Sequence, residues 1–294
     1  MILVTGATGN FGESTIDFLL SKGILPTSIT ALVRNEAKAG NLNKKGVGIK
    51  IGDYHDYNSL VKAFTGVEKM LFVSSSEFID RSKQHENVVC AAKEAGVKHI
   101  FYTSSERKNE TESSPIRFSI GSHIQTEKLI KKSGMVYTIF RNNLYLDMLP
   151  LFFGEQVAET GVFLPTGETK SAFALRQDMS EATANVIISE GHQNKEYSFS
   201  NSVNVSFPEL AGNLGEILGK EIRFISPTLE LFIQTMTKAG APKGYFEMAA
   251  AFSQAIKQGE FEISKTDLEA QLGRRPVSAK EYLKDVYTIK KDYL

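Results

Sequence analysis

An α/β fold, a doubly wound parallel sheet with a smaller, mostly helical C-terminal lobe, is predicted by three features of this 294-residue chain. A short apolar run, residues 2–5, passes straight into glycines at positions 6, 9 and 12 and then into an amphipathic stretch carrying Ile16, Phe18, Leu19 and Leu20. Six short apolar runs, mostly separated by helical patterns, follow one another before residue 150, which is the rhythm of a parallel sheet covered by helices. Each run ends in small or polar residues, and in such a sheet those ends converge on the edge where ligands bind.

The elements follow in order. Strands are predicted at 2–5, 28–33, 46–51, 69–73, 98–102 and 136–140. A helix-prone stretch lies at 36–42. A helix at 57–64 carries Leu60, Val61 and Phe64 at helical spacing. Residues 81–95 form a helix stopped by Gly96, and residues 121–133 another stopped by Gly134. A polar loop spans 106–115. Beyond residue 151 the alternation weakens: isolated strands are expected at 162–164, 197–199 and 221–225, and helices at 178–189, 206–218, 228–239, 244–257 and 278–286. The chain therefore divides into a dinucleotide-binding part, 1–150, and a lobe, 151–294, that covers the cofactor edge and shapes a substrate pocket. The helix from 178 is a candidate to pack back on the sheet.

Hydrophobic residues make up 41% of the chain, enough for a packed core. Lys plus Arg and Asp plus Glu both number 34. That balance argues against a nucleic-acid partner, which demands a basic face. Cys90 is the single cysteine, so neither an intrachain disulfide nor a cysteine metal cluster is available, in keeping with a reducing cytoplasm. Its apolar surroundings, residues 88–92, predict a small buried core side chain. No signal peptide or membrane-length apolar run is visible, so a cytoplasmic protein with no membrane partner is expected. His55, His85, His99 and His192 lack the spacing of a metal site, and no GxSxG nucleophile elbow occurs.

Several positions carry chemistry. Glycines at 6, 9 and 12 permit close backbone approach, and the helix N-terminus behind them attracts a pyrophosphate. Arg34 closes the second strand, where an enzyme preferring NAD carries an acidic residue about 20 positions beyond the glycines. A guanidinium there clamps a 2′-phosphate and favours NADP(H), with NAD(H) as the alternative cofactor; a solvated surface arginine is the other reading. Asp53 closes the third strand and suits either the adenine amino group or a turn. Ser74, Ser75 and Ser76 close the fourth strand, and Thr103 and Ser104 the fifth; such small hydroxyl residues leave room for a cofactor and donate to it. Phe78 is a candidate against nicotinamide or substrate, with core packing as its alternative. Asn142, Asn143 and Tyr145, after the sixth strand, are candidates for the pocket floor or for loop-stabilising hydrogen bonds.

Together these motifs resemble a known family. TGATGNFG at the start, VRN after the second strand, GDYHD after the third, FYTSS at the fifth, HIQTEK in the next helix and IFRNNLY after the sixth are similar to the NmrA-like branch of the atypical short-chain dehydrogenase/reductases. Within it they most resemble the bacterial type-2 NAD(P)H:quinone reductases and triphenylmethane reductases. The likeness covers the first 150 residues with good motifs and continues more loosely beyond. It implies a Rossmann fold, with NADPH along Gly6, Thr8, Gly9, Asn10, Phe11 and Gly12, Arg34 toward the 2′-phosphate, and Ser74 to Ser76 along the ribose. It also implies that Lys128 reaches the nicotinamide ribose; a surface helical lysine is the alternative.

One departure bears on the chemistry. Typical short-chain dehydrogenases carry Tyr-x-x-x-Lys, but Ile124 stands four residues before Lys128, and no tyrosine lies between Thr103 and Lys128. A tyrosine general acid is therefore missing, which weakens sugar-nucleotide epimerisation and alcohol oxidation. Hydride transfer to an electron-poor planar acceptor, such as a quinone or a cationic dye, needs less, because the reduced acceptor takes its proton from solvent. His123 is a candidate proton source, although neighbouring helical residues project about 100° apart. The expected function is an NAD(P)H-dependent reductase of a small-molecule acceptor. The alternative from another class is a non-catalytic NADP(H)-binding redox sensor.

Overall fold

Seven parallel strands form the central layer of the computed structural model, which describes residues 1–289. In chain order they are β1 (Ile2–Val4), β2 (Ile29–Val33), β3 (Gly48–Ile51), β4 (Lys69–Phe72), β5 (His99–Ser105), β6 (Val136–Asn142) and β7 (Lys195–Phe199). Their spatial order is β3-β2-β1-β4-β5-β6-β7. The order reverses between β1 and β4, so the carboxyl ends of these two strands flank the crevice where such sheets bind ligands. Leu3 pairs with Thr30 on one side and with Met70 on the other.

Successive side chains of a strand point to opposite faces, and here both faces are covered. Val4, Ala31, Val33, Leu71, Phe101 and Phe140 face one core. It is closed by α1 (Asn10–Ser21) through Ile16 and Leu19, and by α5 (Arg176–Ile188) through Met179, Ala182 and Val186. Leu3, Leu32, Met70, Phe72, Ile100, Tyr102 and Ile139 face the other. Packed there are α2 (Tyr57–Phe64), whose N-cap Asp56 accepts from Ser59 N, α3 (Arg81–Glu94), and α4 (Arg117–Ser133), which ends at left-handed Gly134.

The lobe has its own core. It joins α6 (Phe207–Leu218), α7 (Leu229–Lys238), α8 (Lys243–Lys257) and α9 (Ala279–Ile289) through Leu210, Leu214, Phe232, Phe246, Ile256 and Leu283. A full capping box of Ser206 and Glu209 starts α6. Helix α4 serves two cores: Ile130 packs under the sheet, whereas Ile116, Ile120 and Ile124 belong to the lobe.

Three expectations are corrected. The strand read at 197–199 as an isolated lobe element is the seventh sheet strand, paired Phe140 to Tyr197. It packs on the sheet alongside α5, the helix expected to return there; of the part 151–294, the last five residues lie outside the described residues. Helix α4 begins at Arg117, a turn before 121. The helix-prone stretch 36–42 is indeed helical, as a short 3₁₀ turn, Glu36–Lys38, followed by a five-residue helix, Gly40–Lys44. Cys90 is exposed, not buried. On α3 the side chains of Gln84, His85, Val88, Val89, Ala91 and Ala92 fill one arc, and at about 100° per residue position 90 projects from the opposite side.

Candidate active site

A cleft of about 680 Å³ runs along the carboxyl edge of the sheet and continues under the lobe. Its first end is the turn between β1 and α1. Gly6 is left-handed, at φ +57°, and donates no space: a Cβ on Gly12 would stand 2.4 Å from the Gly6 carbonyl oxygen. The helix cap, Gly9, offers no side-chain acceptor to the first-turn amides. Those N–H groups, at the positive end of α1, are left for an anionic ligand such as a dinucleotide pyrophosphate. The turn and its donors fit that group.

Thr8, Asn10 and Phe11 line the same end, and Arg34 and Asp53 border it from the ends of β2 and β3. The Asp53 carboxylate accepts from His55 N at 3.0 Å, so it also holds the turn. Arg34 is exposed and pairs with Glu77 at 2.9 Å. Glu77 further accepts from Gln84 and meets His55, and these bonds, that from His55 foremost, keep its carboxyl below the usual range. Ser74, Ser75 and Ser76 line the middle; Ser74 N donates to Thr103 Oγ1 at 2.9 Å, which ties the ends of β4 and β5 together. Thr103 and Ser104 also border the cleft.

The far end is aromatic. Phe78 is exposed at the rim and packs on Phe118 at 5.4 Å between ring centroids, so it is not a core residue. Tyr145 carries the Arg176 guanidinium over its ring at 4.5 Å, and its hydroxyl accepts from Asn142 Nδ2 at 3.3 Å. Asn143 borders the cleft, but its amide nitrogen is committed to Ser200 Oγ and the Phe261 carbonyl, both at 3.0 Å. Phe152, Tyr245, Met248 and Phe252 close this end from the lobe. No local signal singled these out, because only tertiary packing brings α8 over the sheet edge.

Behind the cleft lies a buried polar cluster that the sequence did not reveal. Arg81 Nη2 donates to His123 Nε2 at 2.9 Å, and His123 Nδ1 meets the Tyr102 hydroxyl at 2.8 Å. Ser75 N donates to His85 Nε2 at 3.0 Å, and His85 Nδ1 meets Thr126 Oγ1 at 2.8 Å. Each imidazole accepts a proton-bearing nitrogen at Nε2, so each carries its own proton on Nδ1. Burial, then the Arg81 charge, hold His85 down at about 3, and the same causes push His123 well below 6.5. Burial pushes the Tyr102 phenol up. His123, the candidate proton source, lines the cleft as a buried, doubly hydrogen-bonded ring whose ionisation burial and the Arg81 charge push well below 6.5.

Lys128 is the expected site residue that lies elsewhere. It is exposed and does not line the cleft. The cleft-facing stripe of α4 passes through Ser119 and His123, four residues apart. Five residues past His123, Lys128 is turned about 140° away. Ile124, at the position of the usual tyrosine, is buried in the lobe core. The next position on the stripe is Glu127, whose carboxylate is clamped by Arg107 at 2.9 Å and by Arg141 at 2.8 Å.

Comparison with known proteins agrees with this geometry. The profile described as the NmrA-like family matches residues 1–283. Quinone oxidoreductase 2 of Escherichia coli (strain K12) is 36% identical over 291 residues, 98% of this chain and 99% of that protein. An NAD(P)H azoreductase of Xenophilus azovorans is 32% identical over 245 residues, 83% of this chain and 82% of its own length. The crystal structure of a Citrobacter sp. triphenylmethane reductase complexed with NADP(H) superposes with a TM-score of 0.90 at 36% identity, over 97% of this chain and 99% of that one.

Proposed function

Because this chain belongs to the NmrA-like family, we propose that it is an NADPH-dependent reductase that passes hydride to quinones or similar electron-poor planar acceptors. The observation that carries this reading is the continuity of the cleft. One hollow joins the glycine turn and Arg34 to a far end walled by Phe78, Tyr145, Tyr245 and Phe252. A dinucleotide laid along the first end brings its nicotinamide toward the second, and flat aromatic walls suit a flat acceptor. When bound, the reduced nicotinamide supplies the hydride; the protein orients the acceptor and excludes water.

Gly6, Thr8, Gly9, Asn10, Phe11 and Gly12 hold the pyrophosphate, Arg34 the 2′-phosphate, Asp53 the adenine, and Ser74 to Ser76, Thr103 and Ser104 the ribose and nicotinamide path. Phe78, Asn142 and Tyr145 bound the acceptor, and Asn143 braces the loop beneath it. With Ile124 in the tyrosine position and Lys128 outside the cleft, the reaction uses no Tyr-Lys pair, and solvent protonates the reduced acceptor. The lone Cys90 supports a reducing, cytoplasmic setting, and among the described residues no helix is long and apolar enough to cross a membrane.

The test is steady-state oxidation of NADPH with a panel of benzoquinones, naphthoquinones and a triphenylmethane dye. Turnover with at least one class is expected. Tight NADPH binding with no turnover on any acceptor would instead return the redox-sensor reading.

A further inference from the structure

Arg81 opens α3 with 7% of its surface exposed, yet no carboxylate of the described residues lies within salt-bridge distance of it. Among the described residues its one side-chain hydrogen bond goes to His123, and its buried Nε has no partner. An unpaired buried cation is expensive, and proteins keep one only against compensation. The side chain lines the cleft beside Phe78, whose ring centroid lies 5.9 Å from the guanidinium carbon. A second orphan borders the same space: Asn142 Oδ1 is buried and unpartnered. Both orphan atoms are enclosed by protein, so what meets the cleft is the rest of the guanidinium, which has no carboxylate partner among the described residues and is left for a ligand's anionic or polar atoms.

We propose that Arg81 is the anion pole of the acceptor site, holding the negative charge that hydride transfer places on the acceptor oxygen. The inference rests on the reductase reading and deepens it. When hydride, a proton with two electrons, reaches a quinone, the nicotinamide C–H bond breaks and a new bond to hydrogen forms on the acceptor. The carbonyl π pair retreats onto oxygen, and water later protonates that oxyanion. A preorganised cation at the developing charge lowers this barrier without reorganising solvent. Arg81 is thus a catalytic residue. His123, fixed from behind by Tyr102, is a positioning residue that accepts one N–H and aims the fork.

The experiment compares wild type with Arg81→Gln and Arg81→Lys. The probe is 4-nitrophenol, a mimic of the half-protonated product whose phenolate has its own visible absorption, titrated against pH in the presence of NADP. Wild type is expected to bind it as the phenolate, with its apparent ionisation at least about tenfold easier than in Arg81→Gln, and Arg81→Lys in between. Quinone turnover is expected to fall about 100-fold in Arg81→Gln, with NADPH affinity, read by fluorescence, unchanged. Thermal melting checks folding, and Arg81→Gln is expected to melt no lower than wild type because the unpaired cation is gone. Equal phenolate binding and turnover within about twofold in a folded Arg81→Gln would overturn the proposal while leaving the reductase reading intact. A wild type that binds phenolate through Arg81 but reduces no quinone would overturn the reductase reading, and with it the catalytic role of Arg81.

Discussion

Arg34 Nη1 stands 2.9 Å from Glu77 Oε1 at the exposed rim of the cleft, which links the end of β2 to the loop before α3. The same carboxylate is held by Gln84 at 3.0 Å, so Glu77 is the better anchored of the two. A 2′-phosphate must therefore compete with Glu77 for the guanidinium. Arg34→Ala is expected to raise the KM for NADPH roughly tenfold, the cost of one charge-assisted contact, and to leave that for NADH nearly unchanged. Glu77→Gln should act in the opposite sense, tightening NADPH by about threefold at low salt and less at high salt. Initial rates with both dinucleotides check this.

Gly12→Ala tests the turn. The added Cβ would meet the Gly6 carbonyl at 2.4 Å, closer than any contact that small side-chain shifts relieve, because the obstacle is backbone. The variant is expected to lose about 1–3 kcal/mol of stability. It should also lose the rise in melting temperature that NADPH gives wild type. Melting with and without NADPH measures both.

Glu127 makes the fold acid-sensitive. Burial pushes its carboxyl up, but the hydrogen bonds and charges of Arg107 and Arg141 win and hold it at about 2, against 4.5 for a free side chain. A depressed carboxyl contributes stability that is fully present above about 4.5 and is lost as pH falls toward 2. The contribution is about 3 kcal/mol. Burial also depresses His85, to about 3, so its stabilisation too drains away as pH falls below 6.5. Urea midpoints should drop steadily from pH 6.5 to pH 3. Glu127→Gln leaves the buried Arg107 with the half-exposed Glu110, at 2.9 Å, as its remaining carboxylate partner and should cost about 3 kcal/mol at neutral pH.

His123 predicts the shape of the rate profile. A ring held neutral by burial and by Arg81 has no charged form to lose near neutrality. The plot of kcat/KM against pH should show no inflection near 6.5, and His123→Asn should lower kcat without moving the profile. An inflection near 6.5 that disappears in His123→Asn would restore the proton-donor role.

The sheet was legible because its punctuation is local. Glycines at 6, 9 and 12, serines at 74–76 and the hydroxyl residues at 103–105 mark strand ends directly, and strand ends of a parallel sheet share one edge. Arg81 was not legible: at the start of a polar helix it reads as a solvated cation, and only the packing of α3 against β5 and α4 buries it. The exposed position of Lys128, outside the cleft lining, was hidden for a related reason. A motif frame carried over as Ile124 and Lys128 is one residue out of phase with the helix, since Ile124 is claimed by the lobe core and the cleft takes His123. The seventh strand, of sequence KEYSF, holds too little apolar pattern to say which sheet it joins; its partner β6 decides that through Phe140 and Tyr197.

That late strand has a consequence for how the chain is made. As residues emerge from a ribosome, the first six strands are complete by residue 142, but the outer side of β6 then has no neighbour until residues 195–199 follow. During that interval an apolar row with open N–H and C=O groups faces whatever is nearby. The nascent protein is therefore most vulnerable to sticking just when it looks finished. A truncation after residue 150 would freeze it at that stage.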